Sequence, residues 1–406
     1  MVAVLTLLLA GDLVRYALTV PVWVGIVFVA TAWGVAVLWT NRVSWRHLPL
    51  ALLATLGWWL ITPLWSPYAA NSALMLVPAV FTVILGAALV TAVPLDEFIR
   101  RGALTLRLVL VGSILFEIAV GIYGRPVYPV GIVATPTTPI EVAWSRAVLF
   151  VPGARIQGLV GNANILGMLS LILLIVAVWR ITASREWRTM SSLDVIVALF
   201  LIYRTMSATV TVAALGVGIV VVLAAFARRH GIQWRVAFWA SIAAMVGAAV
   251  VAILKWSTVA GFLGKSPDMT HRFDIWKAVL GRIADQPVVG HGFVGWWPTW
   301  DPWFAIHTID GVPMMEAHNA WLDLTMQTGL IGAALFAIAL GTILYSLWRA
   351  FCESPRSVAA VPFLILDALA VQSLTESRIL IEWGLASVVA FGIVAERLRA
   401  GFTSRP

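Results

Sequence analysis

Apolar runs long enough, or nearly long enough, to cross a bilayer as helices recur from one end of this sequence to the other. Short segments carrying most of the charge separate them. A soluble chain of 406 residues would need charged surface over two or three domains, yet only 11% of its residues are charged, against roughly 25% in ordinary globular proteins. With 61% hydrophobic residues, no water-facing surface of that extent can be made. Unpaired backbone cannot face lipid, so the runs read as helices. The pattern predicts an all-α polytopic membrane protein of about twelve transmembrane helices, near 1–15, 17–39, 47–63, 72–93, 102–122, 158–179, 191–203, 207–226, 236–254, 319–347, 358–375 and 380–395. The stretch 191–203 is shorter than the ~20 residues a perpendicular span needs, which predicts a broken or strongly tilted helix. The apolar stretch from Val2 to Ala10 has no basic residues before it and no clear cleavage site, and reads as a retained segment.

Orientation follows from arginine. Sixteen of the 27 basic residues fall on alternate short loops, at Arg42, Arg46, Arg100, Arg101, Arg107, Arg180, Arg185, Arg188, Arg228, Arg229, Arg235, Arg349, Arg356, Arg397, Arg399 and Arg405. By the positive-inside rule both termini face the cytoplasm, and the long segments 123–157 and 255–318 face outward. The net charge of +8 would raise nucleic acid as a partner, but the charges sit between spans and not on one face, so membrane lipid is the expected surrounding. The chain therefore divides into about nine N-terminal spans (1–254), an extracytoplasmic loop (255–318) and about three C-terminal spans (319–406). The single cysteine, Cys352, excludes an internal disulfide framework and a cysteine metal cluster.

Within the late loop, residues 271–284 space Phe273, Trp276, Ala278, Leu280 and Ile283 in a roughly helical pattern among Arg272, Lys277 and Arg282. That predicts an amphipathic helix at the outer interface. Trp296, Trp297, Trp300 and Trp303 follow in a Pro- and Gly-rich stretch, with two readings open: a headgroup belt or sugar-stacking faces.

Charged side chains in apolar spans cost about 2.5–3.5 kcal/mol each at mid-helix. Glu117, Asp194, Asp367 and Glu382 are such groups, and they serve either helix pairing or function. On the outward side, Arg155, Arg204, Arg272 and Arg378 are either snorkelling headgroup contacts or, together, ligands for a lipid pyrophosphate, since guanidinium binds phosphate oxygens bidentately. His291, His307 and His318 lie in the same region without carboxylates at metal-binding spacing, so no metal is expected. His318 begins the tenth span. A neutral imidazole there can take a proton from a hydroxyl, or be a satisfied interface residue.

Five ordered motifs resemble a known family. They are RIQGLVGNANILG (155–167), SAT (207–209), HRFDIWKAVLGRIADQPVVGHGFVGW (271–296), AHNAWLDLTMQTGLIGA (317–333) and LTESRIL (374–380). Their order and spacing, over roughly residues 150–395, resemble the O-antigen ligase and polymerase superfamily, membrane glycosyltransferases of the C-fold type that include bacterial protein O-oligosaccharyltransferases. The resemblance implies transfer, with inversion, of a glycan from undecaprenyl pyrophosphate to an acceptor hydroxyl on the outer face of the cytoplasmic membrane, with no metal, nucleotide or other cofactor. It implies His318 as general base, Arg155 and Arg272 with Arg204 and Arg378 on the donor pyrophosphate, and Asn319, Glu376 and Ser207 in support. Family members often carry Arg directly after the Ser of the SAT segment. Here Ala208 stands there and Arg204 is the nearest arginine, while His291 replaces a small or aliphatic residue between two glycines.

The acceptor is a glycan, a lipid or a wall polymer. A ligase leads, a polymerase joining lipid-linked repeat units is the first alternative, and a protein-glycosylating enzyme the next. A transporter or lipid flippase coupled through Asp367 and Glu117 is the rival from another class, against which no internal repeat is evident.

Overall fold

A computed structural model of the protein describes residues 1–43, 45–183, 188–262, 272–309 and 312–403. Arg185, His271 and Arg405, singled out above, lie outside the described residues. In chain order the α-helices are α1 (Val2–Leu9), α2 (Gly11–Ala17), α3 (Val20–Thr40), α4 (Leu50–Ile61), α5 (Ala69–Ala92), α6 (Leu95–Tyr123), α7 (Ala163–Ala183) and α8 (Arg188–Thr205). They continue with α9 (Ala208–Arg229), α10 (Trp234–Leu254), α11 (Trp256–Phe262), α12 (Arg272–Asp285), α13 (Pro302–Ala305), α14 (Ala320–Glu353), α15 (Ala360–Gln372) and α16 (Glu382–Thr403). Two two-residue strands, Thr308–Ile309 and Val312–Pro313, are the extended elements among the described residues.

Seven helices (α3, α5, α6, α7, α9, α10 and α14) are long and apolar enough to cross a membrane, and Leu50–Leu64 and α15 are shorter apolar helices. Seven of the twelve expected spans meet this measure among the described residues. The first expected span is two short helices, α1 and α2, separated at Ala10. The stretch expected to be broken, 191–203, lies inside one continuous 18-residue helix, α8.

Met1–Arg42 and Ala87–Thr211 make up most of one compact unit; Val43–Gly86, Val212–Ile309 and Pro313–Pro406 make up another. In the first, α7 is the central element, packed on α6 and α8, with Ile165 to Leu173 buried on every side. A helix apolar all round belongs in a core. In the second, α14 is central and meets α4, α10, α12, α15 and α16.

α8 is unbroken, which leaves the tilted alternative for 191–203, and a break occurs in α14. Gly329 (φ 69°, ψ −178°) interrupts the helical dihedrals, and a Cβ there would stand 2.1 Å from the Val288 carbonyl oxygen. The segment 287–292 threads past the kink and pairs its freed backbone groups. Leu330 N donates to Pro287 O (2.8 Å), His291 N to Met326 O (3.0 Å) and Gly292 N to Gln327 O (2.7 Å). A kink where inserted backbone satisfies the helix ladder loses little hydrogen bonding.

The expected amphipathic helix forms, as α12, but with a different phase. Ile275 and Val279 are buried, with Ile283 packed beside them at the next i+4 position, whereas Phe273 and Leu280 are exposed. The expected tryptophan belt also divides. Trp297 is buried in the cluster with Tyr68, Val279 and Phe304, Trp303 packs against its edge, and Trp300 stays exposed.

Candidate active site

The residue that begins α14 carries the densest chemistry. Asn319 is its N-cap, its side-chain oxygen accepting from Trp321 N (3.0 Å) and Leu322 N (3.1 Å), as an Asx cap does. Its amide donates to Leu374 O (3.1 Å), so Asn319 acts on its neighbour His318 through the backbone. His318 itself has φ 50°, a left-handed conformation uncommon for a residue with a Cβ. Hydrogen bonds on both sides hold it there: Ala317 N donates to Asp323 Oδ2 (2.8 Å) and Ala320 N to Ser373 O (2.9 Å). Backbone strain of this kind persists where the surroundings over-determine it.

The imidazole faces two carboxylates with one nitrogen. Nδ1 lies 3.0 Å from Glu316 Oε1 and 3.1 Å from Glu376 Oε2. The other oxygen of Glu376 accepts from Arg272 at 2.7 Å, and Arg272 also donates to Thr375 O. Nε2 has no protein partner among the described residues, and the His318 side chain is 26% exposed. Burial pulls the pKa of His318 down, but Glu376 and then Glu316 outweigh it and bring it up to about 10. Burial alone would raise Glu376; the charges of His318 and Arg272 hold its carboxyl well below the usual range. Glu316, His318 and Glu376 offer ligand atoms within 4.8 Å of one another, close enough for one small cation. In this arrangement the positive charge among them is the imidazolium's own and that of Arg272.

Asp323, one turn into α14, is fully buried and joins the surrounding segments. It accepts from Trp297 Nε1 (2.7 Å), from Ala317 N and from Ser377 Oγ. Neither Asp323 nor Glu316 was among the carboxylates singled out from the sequence. The available signal was their place, two residues before and five after His318.

Arg378 follows Glu376 by two residues but faces elsewhere. It pairs with Glu382 and lies over the Trp296 ring, 5.2 Å from its centroid. His291 is buried with Nε2 2.8 Å from Arg282 O, and burial lowers its pKa. His307 Nδ1 lies 2.7 Å from Trp303 O. Both histidines are thus engaged with local backbone.

In the first unit, Arg155 and Arg204 are neighbours: Ile156 N donates to Arg204 O (3.3 Å) and Arg155 Nε to Thr205 O (2.9 Å). A second Arg155 nitrogen donates to Asn164 Oδ1 (2.8 Å), which also accepts from Ser207 Oγ (2.9 Å). Arg204, in the last turn of α8, donates to Leu149 O (2.6 Å) and Val148 O (3.3 Å). Glu117 secures the loop that carries Arg155. Its buried carboxylate accepts from Gly158 N (2.7 Å), Ser145 Oγ (2.9 Å) and Gln157 N (3.1 Å). Hydrogen bonds to a buried carboxylate are worth about 1.5–3 kcal/mol each. Asn164 completes a network of which the sequence reading had named Arg155, Arg204 and Ser207 as site residues and Glu117 as a charge in an apolar span.

An all-helical membrane protein with a histidine–carboxylate–arginine cluster at a helix entrance is the class these features define. Residues 193–337 match the family model described as O-antigen ligase, which supports the O-antigen ligase superfamily. No curated protein matches the chain. The match supports a membrane glycosyltransferase of the O-antigen ligase/polymerase type.

Proposed function

We propose that the protein transfers a glycan from undecaprenyl pyrophosphate to an acceptor hydroxyl at the outer face of the cytoplasmic membrane, as a ligase of finished chains, without metal or nucleotide. Both termini lie in the cytoplasm, as the arginine distribution implies. The observation that carries the reading is His318, with Nδ1 on two carboxylates and Nε2 open. That is the disposition of a base oriented by acidic partners.

In the proposed reaction the acceptor oxygen bonds to the anomeric carbon and its proton passes to Nε2. The bond from that carbon to the pyrophosphate breaks, and the electron pair leaves on the phosphate oxygen. The resemblance assigns Arg155, Arg204, Arg272 and Arg378 to the pyrophosphate. For Arg204, support comes from a guanidinium held by neutral carbonyl oxygens, and for Arg155 from its place beside Arg204. For Arg272 it comes from the adjacency to His318 through Glu376.

A pKa of about 10 leaves about one His318 in a thousand neutral at pH 7, so base catalysis predicts a rate rising with pH toward 10. The same observation favours a second reading, in which the imidazolium donates Nε2–H to a phosphate oxygen. That predicts a rate falling above pH 9.

The deciding experiment replaces the protein in cells by His318→Ala and sizes carrier-linked and envelope-linked glycan separately. Long chains accumulating on the carrier support the ligase; single repeat units make the protein a polymerase. An unchanged profile with expressed variant removes the transferase reading in favour of transport.

A further inference from the structure

We propose that Glu316 is a positioning residue for glycan transfer: as the second carboxylate on Nδ1 of His318 it sets the ring so that Nε2 is the nitrogen offered to substrate, and it governs whether the ring keeps its proton. This rests on the reading that His318 exchanges the acceptor's proton.

The two carboxylates on Nδ1 are not equivalent. Glu376 Oε2 meets the imidazole while Oε1 meets Arg272, so its charge is shared between two cations. Glu316 Oε1 meets the imidazole at 3.0 Å, and its Oε2 is buried with no hydrogen-bond partner among the described residues. A carboxylate 7% exposed, with one bare oxygen and an ion pair to His318, has its charge satisfied chiefly by that ring. Uncompensated burial of carboxylate charge is costly, so Glu316 favours the protonated imidazole strongly.

The local backbone leaves Glu316 little freedom to move away. Trp297 N donates to the Met315 carbonyl before it (2.9 Å), and Ala317 N is fixed on Asp323 after it (2.8 Å).

The charged groups around His318 come from four places. Glu316 is on its own segment, Glu376 follows α15, Arg272 of α12 acts through Glu376, and Asp323 of α14 acts on Glu316. Asp323 is already occupied by Ala317, Trp297 and Ser377. Removing Glu376 would strand Arg272 as well as His318. Removing Glu316 leaves Arg272 its ion pair with Glu376, and so reads the ring's proton affinity more directly.

The test is the titration of the six histidines, ring-labelled with nitrogen-15, in the full-length protein in detergent from pH 6 to 10.5, with His318 identified by its loss in His318→Gln. It is read beside the pH profile of glycan transfer in membrane vesicles that use their own carrier-linked glycan. The expected wild-type midpoint is about 10. Glu316→Gln is expected to bind the His318 proton at least about tenfold more weakly, with the transfer profile displaced to lower pH by the same factor. Glu316→Asp is expected to recover part of both, and carries the test where the glutamine variant does not fold. An unmoved His318 midpoint, with the other five histidines as in wild type, overturns the role of Glu316 and leaves that of His318 intact. A moved midpoint with an unmoved transfer profile overturns His318 as the proton-exchanging group, and Glu316's part in transfer with it.

Discussion

Arg204 in the first unit and the arginines of the second are held by different means. Arg204 donates to the carbonyl oxygens of Val148 and Leu149, which orient a guanidinium without cancelling its charge. Arg272 and Arg378 each have a carboxylate directly opposite, Glu376 and Glu382. A cation dressed by dipoles keeps its charge for an incoming anion, whereas a cation in an ion pair has part of it spent before the ligand arrives. Arg204, Arg272 and Arg378, alike in sequence, therefore differ in the electrostatic work they can do. The second region adds what the first lacks, a titratable group: His318 converts the charge balance among Arg272, Glu376 and Glu316 into a proton affinity.

The largest effect expected is on transfer. His318→Ala should reduce it about 10²–10⁴-fold, the range for losing a general base, assayed at a temperature where the variant, deprived of the ion pairs to Glu316 and Glu376, remains folded. Retained turnover would break the comparison at its centre, since the second region would then hold only a structural ion-pair network.

Next comes Arg272→Ala, which leaves the buried Glu376 carboxylate without its arginine. A loss of about 3–5 kcal/mol, seen in thermal or denaturant unfolding, is expected for breaking a buried pair. Arg204→Ala removes bonds to neutral carbonyls instead, and should cost only about 1–3 kcal/mol while impairing transfer. Equal stability losses in the two variants would contradict the distinction between paired and dipole-held arginines.

A smaller loss tests the scaffold on which the second region depends. Gly329→Ala places a side chain in a left-handed position against the Val288 carbonyl. Strain of about 1–3 kcal/mol is expected, more if 287–292 is displaced from the kink, with reduced transfer because that segment leads into Trp297 and its bond to Asp323. An unchanged variant would mean that the threaded loop does not fix the site.

The smallest effect is the pH dependence of stability. The pKa of His318 is raised from 6.5 to about 10, so its contribution is complete below pH 6.5 and is lost as pH rises through 10. Glu376 is lowered, so its contribution is present above the ordinary carboxylate range and lost as pH falls below it. The unfolding temperature should therefore decline from pH 7 to 10 in the wild type and more shallowly in His318→Gln. Parallel slopes would show that the carboxylates do not hold the imidazolium.

The elements that could be read in advance are those with local causes. Apolar runs located the long helices α3, α5, α6, α7, α9, α10 and α14, because a span's length and composition are set by the residues within it. The same reasoning took residues 1–15 as one span, where two short helices form, and did not anticipate the break in α14, since run length alone does not report where a kink can be satisfied. Motif order drew attention to His318, Glu376 and Arg272, which the structure brings together. It passed over Glu316 and Asp323, whose partners include Trp297 and Ser377, 26 and 54 residues from Asp323 along the chain.

What the sequence determined by itself is thus the membrane class, most of the helices and the short list of groups able to do chemistry. Each follows from hydrophobicity, chain length and side-chain identity. The tertiary structure decided which face of α12 is buried, where α14 bends, and which arginines meet carboxylates. It also decided that His318 meets two carboxylates at one nitrogen. These depend on distances between segments remote in the chain, and both electrostatic and hydrogen-bond energies fall away over a few ångströms.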